Sequence, residues 1–209
     1  MGAHHKVSPS IERRRMRVHA EVERAVRDTL SLTIPTRILD VGTGYGISVQ
    51  LLTKQFRNRA RIWSIDPSRS VIRDMRRSAK YSGAKWHVSF KQAEAEALPF
   101  PARKFDLVVS LLSLHHFSNA ERGLREMVRV LAPRGKLIVA DWRPAASPVV
   151  PHSAKDIPSP AFVLRVLKRL EVPTVVQRGR YWYLVEGAKQ TASAIATVHS
   201  GPADQIQAC

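Results

Sequence analysis

The sequence predicts an α/β fold: a doubly wound, mostly parallel sheet of seven strands, ending in an antiparallel C-terminal hairpin. Three observations predict it. Five strand-like runs lie between Arg37 and Trp142, most of them separated by amphipathic helical stretches, at the spacing of successive β-α units. A glycine-rich turn follows the first of these runs directly and leads into a helical pattern. Beyond residue 170 the pattern changes to two β-rich runs joined around Arg178-Gly179-Arg180, which reads as a hairpin.

Taken in order, residues 10–32 form an amphipathic helix capped by Ser10. Ile11, Val18, Val22, Ala25, Val26 and Leu30 recur at helical spacing, and Pro35 ends it. "RILDV" is the first strand. "ISVQLLTKQF" is a helix with Ile47, Leu51, Leu52 and Phe56 on one face. "RIWSID" is the second strand, and Pro67 opens the helix "PSRSVIRDMRRSAKY" in its first turn. "WHVSFKQA" alternates as a third strand, and "KFDLVVSLL" is a buried fourth. "NAERGLREMVRVLA" is a helix beginning near Asn119 and stopping before Pro133, and "GKLIVADW" is the fifth strand. Residues 142–160 hold five prolines and no periodicity, so they are a connection or lid over the sheet edge. "AFVLRVLKRL" is a short helix before the hairpin. The organisation expected is a basic N-terminal helix (1–34) capping the substrate, one domain over 35–189, and a flexible tail over 190–209.

Composition narrows the class. At 209 residues the chain can bury a core without staples, and its single cysteine, Cys209, excludes a disulfide framework and a cysteine-based zinc site. The N-terminus lacks a signal-peptide apolar segment, and no run is long enough to span a membrane, so a cytoplasmic protein is expected. A formal charge of +17 permits nucleic acid, anionic lipid or an acidic metabolite as partner. Arginines are densest in 13–27 and 54–80, but aromatic residues do not interleave with them, so no base-stacking platform is indicated.

The chemistry lies in "ILDVGTGYG" and the acid that follows it. A strand, then glycines, then a helix N-terminus makes a cradle for a ligand. The dinucleotide fingerprint requires G-x-G-x-x-G, whereas Gly42, Gly44 and Gly46 give G-x-G-x-G with Ile47 at the last fingerprint position. Asp40 ends the strand, where a carboxylate opposes a pyrophosphate and suits an amino cation. Asp66 ends the next strand, placed to accept both ribose hydroxyls. S-adenosylmethionine fits a ligand with a ribose, no phosphate and a positive end.

These segments resemble the class I S-adenosylmethionine-dependent methyltransferases, within the broad group of ubiquinone/menaquinone-biosynthesis methyltransferases. "ILDVGTGYG" and "SIDPS" resemble the first two motifs. "AEAEALPFPARKFDLVVSLLSLHHF" resembles the adenine loop and fourth strand, and "REMVRVLAPRGKLIVADW" the helix and fifth strand that follow. The resemblance covers residues 35–142 and implies a Rossmann-like sheet. It implies that Gly42, Gly44 and Gly46 line the methionine moiety and that Asp40 holds its ammonium, directly or through water. Asp66 would clasp the ribose, and Pro67 and Ser68 would flank the adenine. Glu94 and Ala95 take the positions that contact the adenine amino group, Glu94 replacing the more usual Asp. Ser110 and Leu111 would face the methionine part.

For the transfer itself, His115 and His116 in "SLHHF" stand just after the fourth strand, where a histidine can take a proton from a nucleophile; His115 is the candidate. Asp141 stands alone after the fifth strand, so a metal-dependent mechanism is not expected. The Asn-Pro-Pro-aromatic motif of adenine or glutamine N-methylation and a cysteine nucleophile are both missing. The reading is a methyltransferase acting on an O, N or C nucleophile of a small molecule. The alternatives are an RNA methyltransferase using the basic surface and a non-catalytic RNA-binding protein on the same fold.

Overall fold

The computed structural model describes residues 9–31, 33–81, 87–146, 150 and 153–191. Seven strands form one sheet in the order β3-β2-β1-β4-β5-β7-β6. They are β1 (Arg37–Val41), β2 (Arg61–Asp66), β3 (Val88–Gln92), β4 (Phe105–Leu111), β5 (Leu131–Trp142), β6 (Thr174–Arg178) and β7 (Trp182–Ala188). The first five pair in parallel, and β7 pairs antiparallel with both β5 and β6. The chain order reverses between β1 and β4, and at the carboxyl ends of these strands doubly wound sheets open a ligand crevice.

Five helices accompany the sheet: α1 (Pro9–Leu30), α2 (Ile47–Phe56), α3 (Arg69–Tyr81), α4 (Ala120–Val130) and α5 (Pro160–Arg169). The core is divided by the sheet. On one face Leu39, Val108 and Val139 meet Leu124, Met127 and Val128 of α4 and Val163, Val166 and Leu167 of α5. On the other, Ile38, Leu107, Ile138 and Leu184 meet Leu51 and Leu52 of α2 and Val18, Val22, Val26 and Leu30 of α1. The N-terminal helix is thus part of the core, and Trp182 of β7 ties it down by donating to Glu21 Oε2 at 2.9 Å.

Several element ends differ from the sequence expectation, each for a local reason. Helix α1 already includes Pro9 and ends at Leu30, so Ser10 lies inside the first turn instead of capping it. Pro67 stands two residues ahead of α3, because the Ser68 N–H is taken by Asp66 Oδ1 at 2.9 Å. Helix α4 does start behind Asn119, whose side chain accepts from the Arg122 N–H, but it stops at Val130. Leu131 is drawn into the sheet by pairing with Phe105, and a bulge precedes the Leu107–Lys136 pair. Residues 142–160 are tied to the core where described: Ala146, Val150 and Ile157 are buried. Most of the 190–209 tail lies outside the described residues.

Candidate active site

The carboxyl ends of β1, β2, β4 and β5 open on a cavity of about 410 Å³, within the range of small-molecule sites, roughly 300–1,000 Å³. Its floor is the loop after β1. Gly42, Gly44 and Gly46 all have positive φ, at 93°, 46° and 78°. A side chain at Gly42 would strike Ser113 at 2.5 Å, and one at Gly46 would strike Met75, whereas Gly44 faces open space. Gly42 and Gly44 therefore line the cavity, while Gly46 closes the loop from behind as the residue before α2.

Asp66 is held by two backbone donors. Its Oδ2 accepts from the Gly44 N–H at 3.0 Å and its Oδ1 from the Ser68 N–H at 2.9 Å. Each carboxylate oxygen has two lone pairs, so one on each remains to meet a vicinal diol. Asp66 and Pro67 line the cavity; Ser68 does not. Glu94 and Ala95 also line it. Their loop is pinned to α4: Glu126 accepts from the Leu98 N–H at 2.9 Å, and Arg129 donates to the Phe100 and Leu98 carbonyls. Glu96 takes the Asn119 N–H at 2.8 Å, which locks the loop to the start of α4.

Asp40 departs most from expectation. It is fully buried beneath the glycine loop and does not line the cavity. Ser64 donates to its Oδ2 at 2.6 Å, and the Thr43 hydroxyl stands 2.6 Å from Ser64 Oγ, so Thr43 is the group presented to the cavity. Burial pushes the Asp40 carboxyl up to about 7, offset in part by the Ser64 and Ser48 hydroxyls. Among the described residues its Oδ1 has no hydrogen-bond partner. A carboxyl so poised gains from a nearby cation and is not a fixed negative wall. Ser110 is likewise buried, its hydroxyl 2.8 Å from that of Ser113, which donates on to the Val41 carbonyl. Leu111 does line the cavity, and Leu112 beside it sits at φ 53°, a strained turn that carries the chain back beneath the loop.

Four further segments line the cavity. Helix α1 contributes Arg15, His19, Val22 and Glu23; the turn after β4 contributes His115, His116 and Phe117; Trp142 ends β5 and Val150 follows. His19 packs edge-on to Trp142 with ring centroids 5.6 Å apart, and burial lowers its basicity. The His115 and His116 rings lie 4.1 Å apart. His115 Nδ1 is 2.7 Å from Asp141 Oδ1, and the His115 N–H donates to Asp141 Oδ2 at 2.9 Å. Asp141 does not stand alone, as the sequence suggested. Sequence reasoning also passed over His19 and Thr43. A histidine on the apolar stripe of α1 and a threonine between two of the glycines were the available signals. Among the described residues no group of three or more His, Cys, Asp or Glu side chains could hold a metal ion.

The family model described as "Methyltransferase domain" matches residues 39–139. The demethylmenaquinone methyltransferase of Thermus thermophilus is 34% identical over 155 residues, covering 74% of this chain and 67% of that one. The ubiquinone/menaquinone biosynthesis C-methyltransferase UbiE of Photorhabdus laumondii is 29% identical over 173 residues, 82% of this chain and 66% of that one. The chain thus spans about two thirds of the length of these relatives. Among solved structures, a SAM-dependent methyltransferase from Aquifex aeolicus superposes with a TM-score of 0.70 at 21% identity, over 88% of this chain and 99% of that one. The [4+2]-cyclase SpnF superposes with a TM-score of 0.67 at 19% identity, over 82% of this chain and 81% of that one. The fold therefore carries more than one chemistry.

Proposed function

The chain belongs to the S-adenosylmethionine-dependent methyltransferases, and on that premise we propose that it methylates a nucleophilic atom of a small molecule. One observation carries the reading: a single cavity is lined both by the glycine loop, Asp66 and Glu94 and by His19, His115, His116 and Trp142. The residues present suit the donor. Gly44 leaves open space beside the loop, and Asp66 keeps one lone pair per oxygen for a diol. Thr43 and the part-protonated Asp40 behind it suit an amino cation.

Bound S-adenosylmethionine supplies a methyl group already activated as a sulfonium. The protein then has to orient the acceptor and exclude water, and orientation is worth roughly 7–11 kcal/mol. Trp142, Val22 and Val150 give the acceptor end apolar walls, and the histidines provide proton acceptors. The curated relatives act in ubiquinone and menaquinone biosynthesis by their names, so a ring carbon of a quinol is the first acceptor to test. No helix among the described residues is long and apolar enough to cross a membrane.

Two measurements test the proposal. S-adenosylhomocysteine at about 100 times its Kd should stabilise the fold by about 2.7 kcal/mol, and NADH should not. No shift with the first, or a larger shift with NADH, overturns the cofactor. Labelled methyl groups should then pass to a metabolite pool that includes a demethylated quinol. Label found only in RNA would replace the small-molecule reading with the RNA one.

A further inference from the structure

The positive charge of the chain is unevenly placed. The steps from β1 to β2 and from β2 to β3 run the same way across the sheet, so their crossover helices α2 and α3 share one face. Helix α1 packs in the same cluster as α2, and α3 packs on α2 through Ile72 and Met75. On α1, Arg13, Arg17, Arg24 and Arg27 are exposed, and their helical spacing sets them along one outward ridge. Among the described residues none of these four has an ion pair. Of the acids of α1, Glu12 lies 3.8 Å from Arg15, Glu21 accepts from Trp182 at 2.9 Å and Glu23 lines the cavity. Asp28 is the acid left beside the ridge. Lys54 of α2 and Arg69 and Arg77 of α3, all exposed, extend the basic surface. The opposite face differs. There Glu121 of α4 pairs with Arg125 and with Arg169 of α5, and Glu126 pairs with Arg129.

A second cavity, of about 290 Å³, is lined by Arg27 and Glu23 of α1 and by Gln50, Lys54 and Gln55 of α2. Two cations against one carboxylate leave it net positive, and the two side-chain amides can donate, so a singly charged phosphodiester suits it. Met16 stands one turn from Arg13 and is 66% exposed. Tyr45, 95% exposed, stands on the glycine loop and lines the first cavity. Helix α1 carries no Phe, Tyr or Trp, so its ridge offers bases no stacking platform. An exposed apolar side chain among arginines fits the headgroup layer of a lipid instead. We propose that the face formed by α1 and α2 docks on an anionic phospholipid membrane, with the arginine ridge on the lipid phosphates. Docking is peripheral and electrostatic, because the apolar stripe of α1 is buried against the sheet and is not free to insert. Helix α1 also lines the first cavity through Arg15, His19 and Glu23, so a docked membrane lies about one helix diameter, roughly 10 Å, from it. Docking of this kind does not depend on the methyl-transfer reading above.

Sedimentation of the full chain with vesicles tests the surface. The protein should bind vesicles of phosphatidylglycerol mixed equally with phosphatidylcholine and should leave pure phosphatidylcholine vesicles alone. Binding should collapse near 1 M salt, where the screening length falls to about 3 Å. Each basic residue at such a surface is worth about fivefold, so Arg13→Gln, Arg17→Gln and Arg24→Gln together should weaken partitioning about 100-fold. Gln is close to Arg in helix preference, so Tm should hold, and Lys at the same three positions should restore binding. Arg165→Gln with Lys168→Gln, both exposed on α5, lowers net charge away from the ridge and should cost less than about threefold. Failure to bind the anionic vesicles, equal binding to both kinds, or binding by the triple Gln variant that matches wild type overturns the proposal. So does a loss from the α5 pair as large as that from the ridge. Duplex RNA that strips the protein from the vesicles at equal phosphate concentration replaces the lipid by nucleic acid.

Discussion

At the residue scale, environment changes what the same side chain does. Two strand-end aspartates looked alike in sequence, yet Asp66 faces the cavity with two backbone partners and Asp40 lies sealed beneath the loop. The folded-state pKa of Asp40 is raised from its ordinary value to about 7, so in that window the folded protein holds a proton that the unfolded chain releases. Its contribution to stability is complete below about pH 4 and is lost as pH rises through 7, by roughly 1.4 kcal/mol per pH unit between the two values. Asp40→Asn should remove that slope, and the difference in melting temperature between variant and wild type, followed from pH 4 to 8, measures it. Asp66→Asn should weaken S-adenosylhomocysteine binding by about one to two orders of magnitude, since a charged hydrogen bond is worth roughly 1.5–3 kcal/mol; calorimetry reads this. Asp66 was legible because its neighbours are local: strand, acid, then loop. The pairing of Asp141 with His115 was not, because it depends on β4 and β5 lying side by side.

At the scale of elements, the glycine loop separates folding from binding. Ala at Gly42 would meet Ser113, which itself holds Ser110 and the Val41 carbonyl, so both overpacking and left-handed strain act against it. These cost roughly 1–3 and 1–2 kcal/mol. Ala at Gly44 meets nothing, and only the left-handed backbone opposes it, about 1–2 kcal/mol. Gly44→Ala should therefore fold almost as well as wild type yet bind S-adenosylhomocysteine less tightly, whereas Gly42→Ala should lose several degrees of Tm. Periodicity made most elements readable, since amphipathic helices and buried strands write their burial into the sequence. The ends were less readable. The stop of α4 at Val130 is set by a strand pairing from another part of the chain, and nothing within the helix announces it.

At the scale of the whole molecule, α1 serves two purposes. It lines the cavity, and it buries Val18, Val22, Val26 and Leu30 against the sheet. Each such side chain is worth roughly 1.5–3 kcal/mol. Deleting residues 1–30 should therefore abolish cooperative unfolding, read by circular dichroism melting, and should not yield a folded enzyme of broader specificity. The apolar stripe of α1 was visible in sequence; that it completes the core was not, because its partners on β5, β7 and α2 are distant in the chain. The charge of +17 belongs to this scale too. Transfer to a small acceptor should change little between about 50 and 200 mM salt, whereas an acceptor held through several phosphates would lose orders of magnitude in affinity.

The position of β7 between β5 and β6 sets a condition on synthesis of the chain. As the polypeptide leaves the ribosome, β1 to β5 can assemble early, but the outer edge of the 12-residue β5 finds its partner only when Trp182–Ala188 has emerged. Until then the nascent protein presents an open row of backbone donors and acceptors to every neighbouring chain. A stop codon between residues 143 and 182 would make that exposure permanent. The product would be an aggregation-prone fragment that still contains Gly42, Gly44, Asp66, Glu94, His115 and Asp141.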